Sequence, residues 1–517
     1  MPARPWAAGR SAEAARDAIE AFLQSARQPA LLEPGEELLA LTSENYELSL
    51  RADRLTLQAW DRTRNLTRRV MDVRQDSAAR LELAIQRFGG REGQVFLLDL
   101  SRRAGAEMGR RSGRLVFRER FRIFLRRQFP EWTLAELSAE PDLEHSLSPS
   151  FPRAFLKHGQ HAWAAIACPV EGDAAAVVTF ALIWLSYLRA RERRVTVEGL
   201  AIYVPQRSES APSLRLLCLN PSAARFELFT YDEHDEIVRI DAHDHGNLDT
   251  RLEPCRRSAA DDAGRWRDIL ELPGVERVCR HDGSTSLRVR GIEFGELRDG
   301  VFYFGMGQKE IARDYRLSEI QRFVEELDRA RNPLSDSANA LYRQYPEAWL
   351  ESQARAHIVT IDASLQETPI YGQVPAFAGG DRGIMDLLAV DRTGRLAVIE
   401  LKASQDVHLP LQALDYWIRV KWHLDRGEFT SAGYFPGVQL RTEAPKLLLV
   451  GPALEFHPAT ETLLDYFSPE IEVERVGVAA DWRTQLRTMF RLRAAERPAF
   501  VSAGTSRVNA PFTPELK

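Results

Sequence analysis

The chain has 517 residues, more than one hydrophobic core usually organises, so two or three domains are expected. Hydrophobic residues make up 44% and charged residues 28%, a balance that excludes a disordered or fibrous chain. The formal net charge is −5, so any attraction to nucleic acid must come from local basic patches.

Four cysteines, Cys168, Cys218, Cys255 and Cys279, form no C-x-x-C pair, and paired histidines at ligand spacing are missing near them. Buried free thiols in a reducing compartment are expected, rather than a disulfide framework or a zinc site. The first 30 residues carry several acids and lack a continuous apolar core of signal-peptide length, which predicts a short amphipathic helix. From about Glu37 to Leu100, runs such as YELSLRA, RLTLQAW, RLELAIQRF and QVFLLDL alternate between polar and glycine turns and predict antiparallel strands.

A strongly basic helix follows at about 114–129, and loops rich in Ser and Pro lie near 146–153. Ala174 to Leu188 is the longest apolar stretch, 15 residues. A membrane span needs about 20, so a buried helix over 173–191 is expected, in a cytoplasmic protein. VTVEGLAIYV and SLRLLCL read as strands, and residues 231–262 as exposed loop and turns. In that stretch His243, Asp244 and His245, beside Asp241, read as solvated residues rather than metal ligands. A charged helix within 306–331 ends at Asn332-Pro333, where proline stops it, and NPLSDSAN reads as a linker.

The remainder is the most legible part. A helix over 338–356 is followed by strands near HIVTIDA, QVPAFAG, GIMDLLAVD and RLAVIELKA. Leu409-Pro410 starts an amphipathic helix running to about Arg426, with proline in the first turn where its missing N–H costs nothing. Strand KLLLVG, helix TETLLDYF, strand IEVERVGV and helix DWRTQLRTMF complete a mixed-sheet α/β sandwich.

Two apolar strands flank Asp391-Arg392-Thr393-Gly394, a tight turn with glycine where positive φ is favoured. Folding about it brings Asp386 across from residues 399–400, and Glu400 and Lys402, two apart on one strand, leave the same face. Neighbouring acids within apolar strands are costly unless a cation compensates them, and a hard divalent ion suits carboxylate and carbonyl oxygens. Gln412 and Tyr416 are four apart on the next helix and share a face, with Arg419, Lys421 and Arg426 farther along.

Asp386, Glu400-Leu401-Lys402 and Gln412-x-x-x-Tyr416 together resemble the PD-(D/E)XK nuclease superfamily. The Q-x-x-x-Y helix is similar to the RecB-like branch, and GIMDLLAVDRTGRLAVIELK looks like the catalytic hairpin of NucS-type endonucleases. Met385-Asp386 stands where the family pattern has Pro-Asp. The resemblance covers about 165 residues. It implies that Asp386, Glu400 and the Leu401 carbonyl bind Mg²⁺ or Mn²⁺, that Lys402 is catalytic, and that Gln412 and Tyr416 shape the site. Glu351 fits the glutamate that the family often carries on its first core helix, with Glu347 one turn earlier as a competitor.

The implied fold is α/β: a C-terminal restriction-endonuclease-like mixed sheet flanked by helices, preceded by an α/β or α+β region. The expected division is residues 1–30 as a helix, 31–300 for DNA or partner binding, 301–337 as connector, 338–497 as the nuclease-like domain and 498–517 as a tail. The implied function is metal-dependent hydrolysis of DNA phosphodiester bonds, in repair, restriction or defence. The alternative is an inactive nuclease fold that binds nucleic acid or scaffolds. DNA is the implied partner, a homodimer fits because nucleases of this kind often work in pairs, and no membrane is expected.

The stretch from Arg102 to Arg127 holds ten arginines against Glu107 and Glu119. Phe117, Phe121, Phe124 and Leu125 give it an apolar face, leaving Arg118, Arg122 and Arg126 on a polar stripe able to contact phosphates. With Arg419 and Lys421, these are the expected nucleic-acid contacts.

Overall fold

The structure is a computed structural model and describes residues 11–61, 64–87, 91–244, 250–256, 266–312, 317–335, 338–372, 375–378, 381–384 and 386–494. The tail after 497, residues 336–337 of the linker, and His245 lie outside them. The chain divides into two compact units, residues up to 143 with 148–158, and residues 144–147 with those from 159 onward. Residues 301–494 thus belong to the same unit as those from 159.

In the first unit, helix Ala12–Ser25 begins at Ser11, whose hydroxyl accepts the Ala14 N–H at 3.2 Å. Its Ala15, Ile19, Phe22 and Leu23 pack on one face of a seven-stranded sheet. Every strand pairing there is antiparallel, as the alternating runs require. In Arg54–Trp60 the inward residues are Leu55, Leu57 and Ala59, every second position. The basic helix is longer than expected, Arg103–Gln128, and packs beside strand Glu92–Asp99.

In the second unit, strands His161–Ala167, Thr196–Pro205 and Arg225–Tyr231 are parallel, with Ile237–Ile240 antiparallel at the edge. The apolar helix Ala174–Arg191 is the crossover between the first two. It is long and apolar enough to cross a membrane by length and composition, yet Val177, Val178, Leu182, Trp184, Leu185 and Leu188 are buried in the protein. A five-stranded antiparallel meander from Val275 to Ile311 follows. Helix Leu317–Ala330 lays Ile320, Val324 and Leu327 across it.

The last sheet has six strands in the order Tyr371–Gly372, Leu387–Val390, Leu396–Leu401, Lys446–Pro452, Val473–Val478 and Thr488–Arg493. The two central pairings are parallel and the other three antiparallel. Helix Pro346–Ala356 buries Trp349, Leu350 and Ala354 against Ala397, Ile399, Leu401, Leu448 and Val450. The intervening positions Val398, Glu400, Leu447 and Leu449 are buried outside that cluster, and helix Leu409–Asp425 packs on the same two strands. The fold as a whole is mixed α/β with several sheets.

Five elements differ from expectation. The strand within QVPAFAG, Pro375–Ala378, lies outside the six-stranded sheet and pairs with Thr250–Leu252 and Asp381–Ile384 in a separate three-stranded one. SLRLLCL lies in helix Ser210–Leu217, with Pro212 in its first turn and buried Arg215 forked onto Asp415 at 2.9 and 2.7 Å. HIVTIDA forms the short helix Ile358–Ile361, because Ile358 and Ile361, three apart, both enter the core. DWRTQLRTMF is a turn followed by edge strand Thr488–Arg493: Trp482 and Leu486 fill the core, while Arg491 and Arg493 hold Glu474 on the neighbouring strand. The single helix over 338–356 is two, Ala340–Arg343 and Pro346–Ala356, because a residue before proline avoids the helical region and Tyr345 turns left-handed at φ 49°.

Within 231–262 the chain also forms strand Thr250–Leu252 and the strand at 237–240. His243 is exposed beside Asp241, as a loop residue should be. The cysteines are free, but only Cys168 is fully buried and Cys279 is exposed.

Candidate functional site

The hairpin that carries the acids is set by its turn. Asp391 Oδ1 accepts from Thr393 N, Thr393 Oγ1 and Arg395 N at 2.8, 2.6 and 3.0 Å, and the Gly394 N–H donates to the Asp391 carbonyl at 3.0 Å. Gly394 has φ 91°, and a Cβ there would lie 2.2 Å from the Gln439 carbonyl oxygen, so glycine is required. The resulting register puts Leu387 opposite Ile399 and brings Asp386 beside Glu400. Asp386 Oδ2 accepts the Leu401 N–H at 2.8 Å.

Glu400 is 4% exposed, and its Oε2 has no hydrogen-bond partner. Burial, and then the charge of Asp386, push its carboxyl well above the usual carboxylate range. Burial likewise raises Asp386 to about 7, with the Leu401 N–H opposing and Glu351 adding to the rise. Neither carboxylate has an ion pair among the described residues, which distinguishes this pair from the many acids of this chain clasped by arginine.

Lys402 follows directly on the strand, and its N–H donates to the Val450 carbonyl at 3.0 Å. Its Nζ lies 3.5 Å from Asp406 and 3.9 Å from Glu347. Burial pulls the ammonium down, but Glu347, Glu400, Asp406 and Asp386 outweigh it and leave Lys402 raised, hence firmly protonated.

Helix Leu409–Asp425 closes the site on the Glu400 face. Tyr416 is raised by burial and then by the charges of Glu400 and Asp386, and Gln412 Oε1 is buried without a partner. The Arg419 guanidinium stands 5.8 Å from the Tyr416 ring centre. Lys421 instead reaches Asp425 one turn on, at 2.5 and 2.6 Å. His408 stands at the helix entry without a side-chain capping bond, and its ring meets Thr179 Oγ1 at 3.1 Å.

Glu351 is buried and held by two arginines, Arg355 at 2.9 Å and Arg288 at 3.3 Å. Glu347 is the more exposed of the two helix acids and faces Lys402. Arg355 is legible from the sequence as the i+4 partner of Glu351, whereas Arg288 comes from a different sheet 63 residues earlier and has no local signal. Asp406, the acid nearer Lys402, was also missed, since nothing in the loop after the strand marks it.

In the first unit, Arg118 and Arg122 both grip Glu119, at 2.7 and 2.9 Å, while Arg126 is exposed on the same helix. The structure therefore gathers Asp386, Glu400, Lys402 and Tyr416, with Glu351 close enough to raise Asp386 while it is held by Arg288 and Arg355. Gln412 is buried one turn before Tyr416 on the same helix, and the basic stripe belongs to the first unit.

Among the described residues no three His, Cys, Asp or Glu side chains converge into a metal-ligand group. The donors at hand are two carboxylates, one with an orphaned oxygen. Oxygen donors of that kind, buried as a like-charged pair, fit a hard divalent cation. No protein-family model matches the chain, and no curated protein matches it.

Proposed function

We propose that residues 338–497 are a restriction-endonuclease-like domain of the PD-(D/E)XK kind that hydrolyses DNA phosphodiester bonds with Mg²⁺ or Mn²⁺. The observation that carries this reading is the buried pair of Asp386 and Glu400 at the end of a central strand, neither in an ion pair among the described residues, with Lys402 next in the chain. A purely structural acid pair would be expected to have acquired an arginine or hydrogen-bond donors for both groups. The mixed six-stranded sheet with a helix on each face, and the Gln412–Tyr416 helix over the acids, support the same assignment.

Asp386 and Glu400, with the Leu401 carbonyl between Glu400 and Lys402, would hold the ion. Bound there, it supplies Lewis acidity toward a phosphoryl oxygen and toward water. Lys402, whose ammonium the surrounding acids favour, would offer a positive charge to the transition state. Tyr416, whose phenol is raised, remains a hydrogen-bond donor toward the acids or the phosphate. Arg419, on the same helix, offers charge to the backbone of the strand. Glu351 is committed to Arg288 and Arg355 and organises the helix that faces Lys402, leaving Glu347 as the acid beside the ammonium.

The test is incubation with single-stranded, duplex and branched DNA, with and without Mg²⁺ or Mn²⁺, beside Asp386→Ala and Lys402→Ala. Ion-dependent cleavage lost in both variants supports the reading. Cleavage that survives both belongs to another site, and no cleavage of any substrate leaves an inactive protein with a nuclease-like fold.

A further inference from the structure

A cleft of about 360 Å³ lies on the neighbouring face of the helix that carries Glu347 and Glu351. One wall is the turn between strands Thr285–Val289 and Ile292–Arg298, and the other is the chain around Gln344, Tyr345 and Ala348. The walls meet closely: Gly291 has φ 84°, and a Cβ there would fall 2.1 Å from the Ala348 carbonyl oxygen. Ala348 is less than one helical turn from Glu351, about 5.4 Å per turn.

The charges in the cleft are already matched. Arg288 is bound to Glu351 and donates to Ser286 Oγ at 3.0 Å, while Glu293 is held by Arg280 and Lys309. An anionic phosphate finds no spare cation there. What the cleft offers instead is Tyr345, 60% exposed, Met306, 38% exposed, and the Gln344 amide. Neither the Tyr345 hydroxyl nor the Gln344 side chain has a partner among the described residues. Tyr345 is also held at φ 49°, ψ 59°, a backbone conformation uncommon for an aromatic residue. An exposed ring, a soft thioether and a free amide around a nearly neutral space suit a flat, uncharged heteroaromatic group.

We infer that this cleft takes an unpaired base of the DNA strand whose backbone lies at Asp386, Glu400 and Lys402, an inference that rests on the nuclease reading. The base stacks on Tyr345, and its edge meets the Gln344 amide and the Tyr345 hydroxyl. Substrates with an unpaired nucleotide near the cleaved bond are therefore preferred over continuous duplex.

The test uses the full chain in a chelator, where no cleavage occurs, with oligonucleotides carrying 2-aminopurine either unpaired or within a perfect duplex. Tighter binding of the unpaired probe, with quenched fluorescence, is expected. Tyr345→Asn removes the ring while tolerating the left-handed backbone, and should weaken the unpaired probe about tenfold with little effect on the duplex. Tyr345→Phe should keep the quenching. Equal affinity for both probes, or an unchanged Tyr345→Asn, overturns the inference, as does displacement of the strand by free 2-aminopurine nucleoside at comparable concentration. Ion-dependent cleavage without quenching removes the cleft and leaves the nuclease. Quenching without cleavage by any ion keeps the cleft as a single-strand site and removes the nuclease.

Discussion

Asp386 and Glu400 sit side by side because one hairpin register demands it, and the protein carries the cost of two acids in an apolar sheet. An unfolded aspartate titrates near about 3.9, whereas Asp386 in the fold is raised to about 7. Between those values the folded state holds a proton that the unfolded chain has released, so in the absence of metal stability falls as pH rises through this window. Asp386→Asn keeps an oxygen for the Leu401 N–H and removes that penalty. Its melting temperature in chelator should exceed that of the parent at pH 8, by on the order of a few degrees, and converge with it near pH 4. An identical pH dependence in both proteins would count against the buried acid pair. Lys402→Met should lower cleavage by about 10²-fold or more and, because it also removes a cation favoured by the neighbouring acids, should lower the melting temperature modestly.

At the level of elements, the site depends on turns and helix ends more than on the strands themselves. Gly394→Ala introduces both an unfavourable backbone and a close approach to the Gln439 carbonyl, so urea denaturation should show a loss of about 1–3 kcal/mol. Arg331, fully buried after helix Leu317–Ala330, donates to the carbonyls of Arg290, Leu341 and Gln344, and so ties the meander to the segment entering helix Pro346–Ala356. Burial lowers its guanidinium to about 10, yet it remains charged at neutral pH. Arg331→Leu strands those carbonyls and should cost about 2–4 kcal/mol in the same measurement.

For the molecule as a whole, a net charge of −5 makes any grip on DNA a matter of local patches. In the basic helix of the first unit, Glu119 occupies Arg118 and Arg122 and thereby lowers the charge available to a phosphate backbone. If that helix contacts DNA, Glu119→Gln should tighten binding, and Arg126→Ala should weaken it and reduce the slope of log affinity against log salt by about one. Fluorescence anisotropy between low and physiological salt reads both. Identical slopes for the parent and both variants would remove the helix from the DNA surface.

Local chemistry was enough to foresee the alternating strands of residues 37–100, the apolar core helix, and the turn at 391–394 that aligns Asp386 with Glu400. These features repeat within a few residues, as side-chain period or turn composition. The helices at 210–217 and 358–361 and the edge strand at 488–493 went against their local pattern, because packing against distant elements outweighs propensities worth fractions of a kcal/mol. Long-range geometry alone assigned Arg288 to Glu351 and opened the cleft at Tyr345. Partners 63 residues apart meet only when a second sheet packs onto the helix, and no spacing along the chain encodes that meeting.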